Sequence, residues 1–291
     1  MIIVTGMHRS GTSCITGLLS LCGFSLGTSH PLLNDSLPDN EKGHFENLGA
    51  VAINERILMR AGGSWDNPPL QKEIADASEA FAGEIRGFSE TFNGDVFKDP
   101  RICLIVSEWE GLCSGKLDSI VLCLRHPMSV AMSLLKRNNI PIEAGLDLWT
   151  RYNASIIEGV SKTPLIVVDY DNLRSNLQFE LGCLMEALGK KLSAEELVEL
   201  TEGFYSEELN HAPFEQNRDI YLPDQINALY QAIHAKTFTV NKRDGVIWQK
   251  RHNFLDGTIS WGRGLSQMLS SSTRRMSKTI AYLRSLKIFH S

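Results

Sequence analysis

The residues best equipped to hold an anion stand at the start of this 291-residue chain, in the run MIIVTGMHRSGTSCITGLL from Met1 to Leu19. Gly6 and Gly11 bracket a polar turn. Arg9 and Ser10 lie inside it, and Thr12 and Ser13 follow. Backbone N–H groups of such a turn, and of a helix beginning just after it, converge on one point where the helix dipole favours negative charge. Ile2-Ile3-Val4 is a short apolar strand-like run, and Ile15, Leu18 and Leu19 share one helical face. Strand, glycine loop, helix is the setting in which a loop cradles phosphate. The plain alternative is an ordinary glycine turn after a strand.

The loop nearly matches the nucleotide pattern G-x-x-x-x-G-K-[ST], and the mismatch is informative. Gly6 and Gly11 have the spacing, and Ser13 stands where the magnesium-binding hydroxyl would be, but Thr12 replaces the lysine. The cation has moved into the loop, to Arg9. A triphosphate needs both the lysine and a metal. One arginine with three hydroxyls (Ser10, Thr12, Ser13) suits a smaller, less charged group, and no metal is implied.

The string His8-Arg9-Ser10-Gly11-Thr12-Ser13 resembles the 5′-phosphosulfate loop of sulfotransferases that use 3′-phosphoadenosine 5′-phosphosulfate (PAPS), in the arginine version found in bacterial enzymes. Two further strings carry the resemblance. Arg125-His126-Pro127, with Ser133 eight residues after the arginine, is similar to the family pattern that binds the 3′-phosphate. A guanidinium at a strand end can grip phosphate oxygens in a fork. Ser129, one turn earlier than Ser133, is the alternative hydroxyl. Gly43-His44-Phe45-Glu46-Asn47 resembles a string of a group of bacterial members, and several branches of the family place a catalytic glutamate soon after the loop. The resemblance therefore implies Glu46 as the base and His44 as the runner-up. Read alone, Glu46 is a first-turn acid that stabilises a helix dipole. Lys98, in Lys98-Asp99-Pro100, is comparable to a lysine that glycan-modifying members aim at the sulfuryl group; the alternative is a solvated lysine paired with Asp99.

These residues need elements to position them. Asp118 to Leu124 is the clearest interior strand, and Pro164 to Val168 the next. Asp95 to Lys98 is a shorter strand. Pro100 and Pro127 are placed to start helices over Ile102 to Leu112 and Met128 to Arg137. Further helical patterns cover Val51 to Leu58, Leu70 to Phe88 (one charged surface helix), Ile142 to Val160, a stretch reaching Leu188 before Gly189, Glu195 to Phe204, and Leu222 to Ala235. Tyr170, within Asp169-Tyr170-Asp171-Asn172-Leu173, is expected to pack while the acids cap a helix. Trp65, in Ser64-Trp65-Asp66-Asn67-Pro68-Pro69, either lines an acceptor pocket or caps the core. Gly27 to Lys42 reads as a rim loop. Asn210-His211 resembles a family string of open role.

Alternation of strands and helices predicts an α/β fold with a central parallel sheet and helices on both faces. Ligands then bind at the carboxyl ends of the strands, where Arg9, Lys98 and Arg125 fall. With the resemblance, this is a P-loop-like three-layer sandwich over residues 1–240, followed by a basic extension over 241–291. The function implied is transfer of a sulfuryl group from PAPS to an acceptor hydroxyl, on a carbohydrate or glycolipid by analogy with bacterial members. The rival readings are a kinase or NTPase with a degenerate loop, and a non-catalytic nucleotide-binding module.

Composition sets outer bounds. Hydrophobic content of 43% and charge of 22% are ordinary for a globular protein. No apolar run approaches bilayer length, and the short apolar start runs straight into the loop instead of forming a signal peptide, which predicts a cytoplasmic protein. Six cysteines without a C-x-x-C pair predict buried reduced thiols. The net charge of −5 divides unevenly: residues 241–291 carry ten Lys/Arg against two Asp. The acidic remainder argues against nucleic-acid binding. For the basic tail, with a hinge at Ser270 to Ser272 and a helix face after Arg274, the readings are an anionic membrane surface, a docking partner, or a solvated terminus.

Overall fold

The computed structural model describes residues 1–33, 44–113, 115–202 and 222–235, together with the backbone of 240–241 and 247–248. The later part of the rim loop, Asn210-His211, and nearly all of the basic tail lie outside the described residues.

Six strands form the main sheet. These are β1 (Ile2–Thr5), β2 (Leu32–Leu33), β3 (Glu46–Asn47), β4 (Val96–Lys98), β5 (Ser119–Leu124) and β6 (Leu165–Asp169). Their order is β2-β3-β4-β1-β5-β6. All neighbouring pairs are parallel except β2 with β3, a two-residue antiparallel pair at one edge. A second pair, β7 (Val240–Asn241) with β8 (Ile247–Trp248), is antiparallel and separate. The expected boundary at residue 240 falls inside β7.

Period-two alternation splits the apolar residues of the inner strands between two cores. Ile3, Phe97, Ile120, Leu122 and Val167 face one hydrophobic cluster, while Ile2, Val4, Val96, Val121, Cys123 and Val168 face another. Both faces are covered, so these strands read as continuous apolar runs. The first core takes in α2 (Leu48–Arg60), α3 (Gln71–Ser78), α4 (Ala82–Thr91), α5 (Ile102–Leu112), α6 (Pro127–Asn138), α7 (Ile142–Gly159) and α11 (Asp224–His234). The second is closed by α1 (Thr12–Leu21), α8 (Tyr170–Ser175) and α9 (Leu177–Ala187), with α10 (Ala194–Glu202) outside it. The chain is a three-layer α/β sandwich on a mostly parallel sheet, as expected. All six cysteines are free and buried. Among the described residues, no helix is long and apolar enough to cross a membrane.

Two local features depart from the pattern reading. Leu70 to Phe88 is two helices, α3 and α4, joined by a 3₁₀ turn at Glu79–Phe81. The break re-aims the apolar face, so that Ile74, Phe81, Ile85 and Phe88 are all buried in the first core. Glu46 is not in a first helical turn. It sits in β3, and the N-cap of α2 is Asn47, whose side chain accepts from the N–H groups of Gly49 and Ala50.

The turn from α7 into β6 is tied to α5 by Glu110. Its carboxylate accepts from the Ser161 hydroxyl and the N–H groups of Ser161, Lys162 and Thr163 at 2.6–2.9 Å. Burial opposes its ionisation, but these four donors outweigh burial and hold the carboxyl down at about 2, from an ordinary value of 4.5. A depressed carboxyl stabilises the fold above its ordinary value and loses that contribution as pH falls towards 2. We expect Glu110→Gln to cost about 3 kcal/mol at neutral pH and to flatten the acid limb of stability between pH 4.5 and 2. Urea midpoints measured across that range check both; a variant that keeps the wild-type acid limb removes the assignment.

Candidate active site

The loop between β1 and α1 has the conformation that its glycines permit. Gly6 has φ 150° and Gly11 φ 92°, and Arg9 is also left-handed at φ 72°. A Cβ on Gly6 would lie 2.5 Å from the Cys123 carbonyl oxygen, and one on Gly11 would lie 2.1 Å from the Tyr170 ring. Both positions therefore require glycine. Tyr170 packs against the loop as expected, and Asp169 caps α8 by accepting from the N–H groups of Asp171 and Asn172. Thr12 opens α1, which leaves its first N–H groups directed at the loop. The Ser10 N–H closes a turn onto Met7 O at 3.0 Å. The buried Ser10 hydroxyl has no hydrogen-bond partner among the described residues. An anion's oxygen in the loop would satisfy it.

Two clusters flank this loop, both at carboxyl ends of parallel strands. In the first, Arg9 Nε donates to Ser133 Oγ at 2.9 Å, and Arg125 NH1 donates to the Arg9 carbonyl at 3.0 Å. Arg125 also lies over the Tyr170 ring at 5.0 Å and 3.7 Å from Asp171 Oδ1. Asp171 accepts from the His126 N–H at 3.0 Å, which fixes the start of α6. Arg9, Arg125 and Ser133 thus form one group, although sequence assigned them to opposite ends of a ligand.

The second cluster gathers Ser13, His44, Glu46 and Lys98. Register produces it, because Glu46 and Lys98 are partners across β3 and β4. Lys98 Nζ donates to Glu46 Oε1 at 3.1 Å, to Ser13 Oγ at 3.1 Å and to the His44 carbonyl at 2.7 Å. His44 therefore contributes its backbone to this cluster. Burial lowers the Lys98 pKa, and Glu46 only partly restores it. For Glu46, burial pushes upward, but Lys98 and Arg101 pull harder, and the net direction is down. The carboxylate is ionised at neutral pH.

Sequence reasoning did not mark the residues behind this pair. Arg101 NH1 lies 3.4 Å from Glu46 Oε2 and donates to Asp99 Oδ1 at 2.8 Å, and its NH2 reaches Glu55 at 2.8 Å. Asp99 accepts from Asn54 at 2.9 Å, and Asn54 in turn accepts from Trp109 Nε1 at 2.8 Å. Asp99 is therefore the partner of Arg101, and Lys98 is paired with Glu46. A cation directly after Lys98-Asp99-Pro100 was the available signal. It carried no meaning until β3 was seen beside β4.

No family model matches the chain, and no curated protein matches it. The solved structures similar to it include two sulfotransferases. One is the sulfotransferase domain from the Synechococcus PCC 7002 olefin synthase: 18% identity, TM-score 0.43, covering 81% of this chain and 93% of that one. The other is the sulfotransferase STF1 from Mycobacterium tuberculosis H37Rv: 14% identity, TM-score 0.39, covering 79% and 76%.

Proposed function

We propose that this protein is a sulfotransferase that moves a sulfuryl group from PAPS to an acceptor hydroxyl on a carbohydrate or glycolipid. The observation that carries the reading is the left-handed, arginine-bearing loop between β1 and α1, flanked by Lys98 on one side and Arg125 with Ser133 on the other. In this reading Arg9, the Ser10 hydroxyl and the N–H groups of Gly11, Thr12 and Ser13 hold the 5′-phosphosulfate. Arg125 and Ser133 hold the 3′-phosphate.

The acceptor oxygen attacks sulfur in line as the bond from sulfur to the bridging oxygen breaks, and 3′,5′-adenosine bisphosphate leaves. Glu46 takes the acceptor's proton. Lys98 and the loop N–H groups meet the negative charge that develops on the bridging oxygen. The resting contacts couple these two roles. Lys98 Nζ has three resting acceptors, and turning it towards the bridging oxygen at the expense of Glu46 is the exchange that links the two roles. That same move removes the strongest influence lowering the Glu46 pKa and makes it a better base.

The test is calorimetric titration with 3′,5′-adenosine bisphosphate, with 5′-AMP and ATP·Mg²⁺ as controls. Tight binding of the bisphosphate alone supports the reading. Preference for ATP·Mg²⁺ would favour a kinase, and no binding of any of the three would favour a module without nucleotide chemistry. Arg125→Ala is expected to weaken the bisphosphate about 10- to 100-fold, the range for a lost charge-assisted contact. It should leave 5′-AMP much less affected. Equal weakening of both ligands would mean that Arg125 acts only by holding the Arg9 carbonyl.

A further inference from the structure

One built feature beside the loop has no part in donor binding. The turn Ser64 to Asn67, after α2, leans on the loop through Trp65, whose ring lies 4.4 Å from that of His8. His8 immediately precedes Arg9 in the loop. The turn is held from several sides. The buried Tyr152 hydroxyl donates to the Trp65 carbonyl at 2.9 Å, and Arg151 donates to the Pro68 carbonyl at 2.7 Å. The Ser64 N–H closes onto Asn67 O at 3.1 Å, and the Ser64 hydroxyl onto Asp66 Oδ1 at 2.5 Å. A Cβ at Gly63 would stand 2.3 Å from Asn67 O, so the turn is also tight at its entrance. Trp65 packs against the first core, as one of its two expected roles had it, and what the turn presents outward is the uncovered part of that ring and two exposed polar side chains, Asp66 and Asn67.

We propose that this turn is the acceptor platform and that it recognises a pyranose sugar. The inference rests on the sulfotransferase reading and narrows its acceptor to a pyranose ring held at this turn. A pyranose has an apolar C–H face, which an indole ring can cover, and a rim of hydroxyls that both donate and accept. A carboxylate and an amide beside the ring supply acceptors and a donor to that rim. An apolar wall with a few placed polar groups is the usual make-up of a small-molecule site. The His8 contact sets the platform one residue from the arginine of the loop, which is where an acceptor hydroxyl has to arrive.

The experiment is saturation-transfer NMR on the full chain, with and without 3′,5′-adenosine bisphosphate. The probes are methyl β-glucopyranoside, N-acetylglucosamine and, as a non-sugar control, phenol. Sugar ring protons should receive saturation. Trp65→Ala should weaken sugar binding at least tenfold and leave the bisphosphate titration unchanged, because Tyr152 holds a backbone atom that alanine retains. Asp66→Ala and Asn67→Ala, both at exposed positions, should each weaken it several-fold and serve if Trp65→Ala does not fold. Sugar binding that is absent from the wild type, or unaltered in these variants, overturns the proposal. So does phenol displacing the sugars at Trp65. Failure of the bisphosphate to bind overturns the donor reading alone, since the arm without nucleotide still reports on the turn.

Discussion

Replacing Glu46 by glutamine is expected to lower the transfer rate by about 10²- to 10⁴-fold, the range for a lost general base. The substitution keeps the side chain's size and one acceptor oxygen. It removes the charge that lies 3.1 Å from Lys98 and 3.4 Å from Arg101. The pH profile gives an independent check. Burial raises the Glu46 pKa, Lys98 and Arg101 together outweigh that rise, and the net direction is below the ordinary 4.5. The resting carboxylate is therefore ionised throughout neutral pH, and the wild-type rate should fall on the acid side as Glu46 takes up its proton. The ion pair follows the same sign, stabilising above the ordinary carboxyl value and fading as pH falls. Single-turnover transfer from radiolabelled PAPS measures the effect. Bisphosphate titration of the same variant shows that the donor site is intact. A Glu46→Gln rate within threefold of wild type would remove Glu46 as the base, and His44→Ala would then be the variant to measure.

Asp99→Ala should have the largest effect on stability, about 3 kcal/mol or more, because it breaks a buried charge pair by deleting one partner. Asp99 is fully buried. It accepts from the Arg101 N–H and guanidinium and from Asn54 at 2.8–3.0 Å. Without it, Arg101 keeps only the longer contact to Glu46 and the contact to Glu55 at the partly exposed end. Asn54 is left to Trp109. Urea unfolding followed by tryptophan fluorescence reads the change as a shift in midpoint at constant slope. The same variant should lower the transfer rate, since Arg101 helps hold Glu46. A stability change below about 0.5 kcal/mol, the scale of an ordinary surface change, would show that the network carries little of the fold.

The limits of the sequence can be traced to particular residues. The strand-loop-helix at Gly6 and Gly11 was legible because each step is local: a short apolar run, two glycines, then a 3.6-residue period. The strand ending at Leu124 and the helix after Pro127 were legible for the same reason. Both were found within a residue of where they were expected. The break between α3 and α4 was not legible, because the residues around Glu79 are ordinary helix formers and the glycines of the stretch, Gly83 and Gly87, lie inside α4 instead of at the break.

Pairing partners were hardest to read. Lys98 next to Asp99 in sequence suggests a local ion pair, yet successive side chains of a strand point to opposite faces. Lys98 reaches across to Glu46, 52 positions away, and Asp99 turns to Arg101. Arg9 and Ser133, 124 positions apart, likewise meet only because β1 and β5 are neighbours.

The sequence by itself determined the strand, glycine loop and helix at the start of the chain, the apolar inner strands, and the residue types available at the strand ends. Short-range sterics and hydrophobic periodicity are enough for these. Only the tertiary structure decided that Glu46 rests against Lys98 and Arg101, that Arg125 supports the loop through the Arg9 carbonyl, and that Trp65 lies on His8. Strand order and register set those distances, and neither is written in any local stretch of the chain.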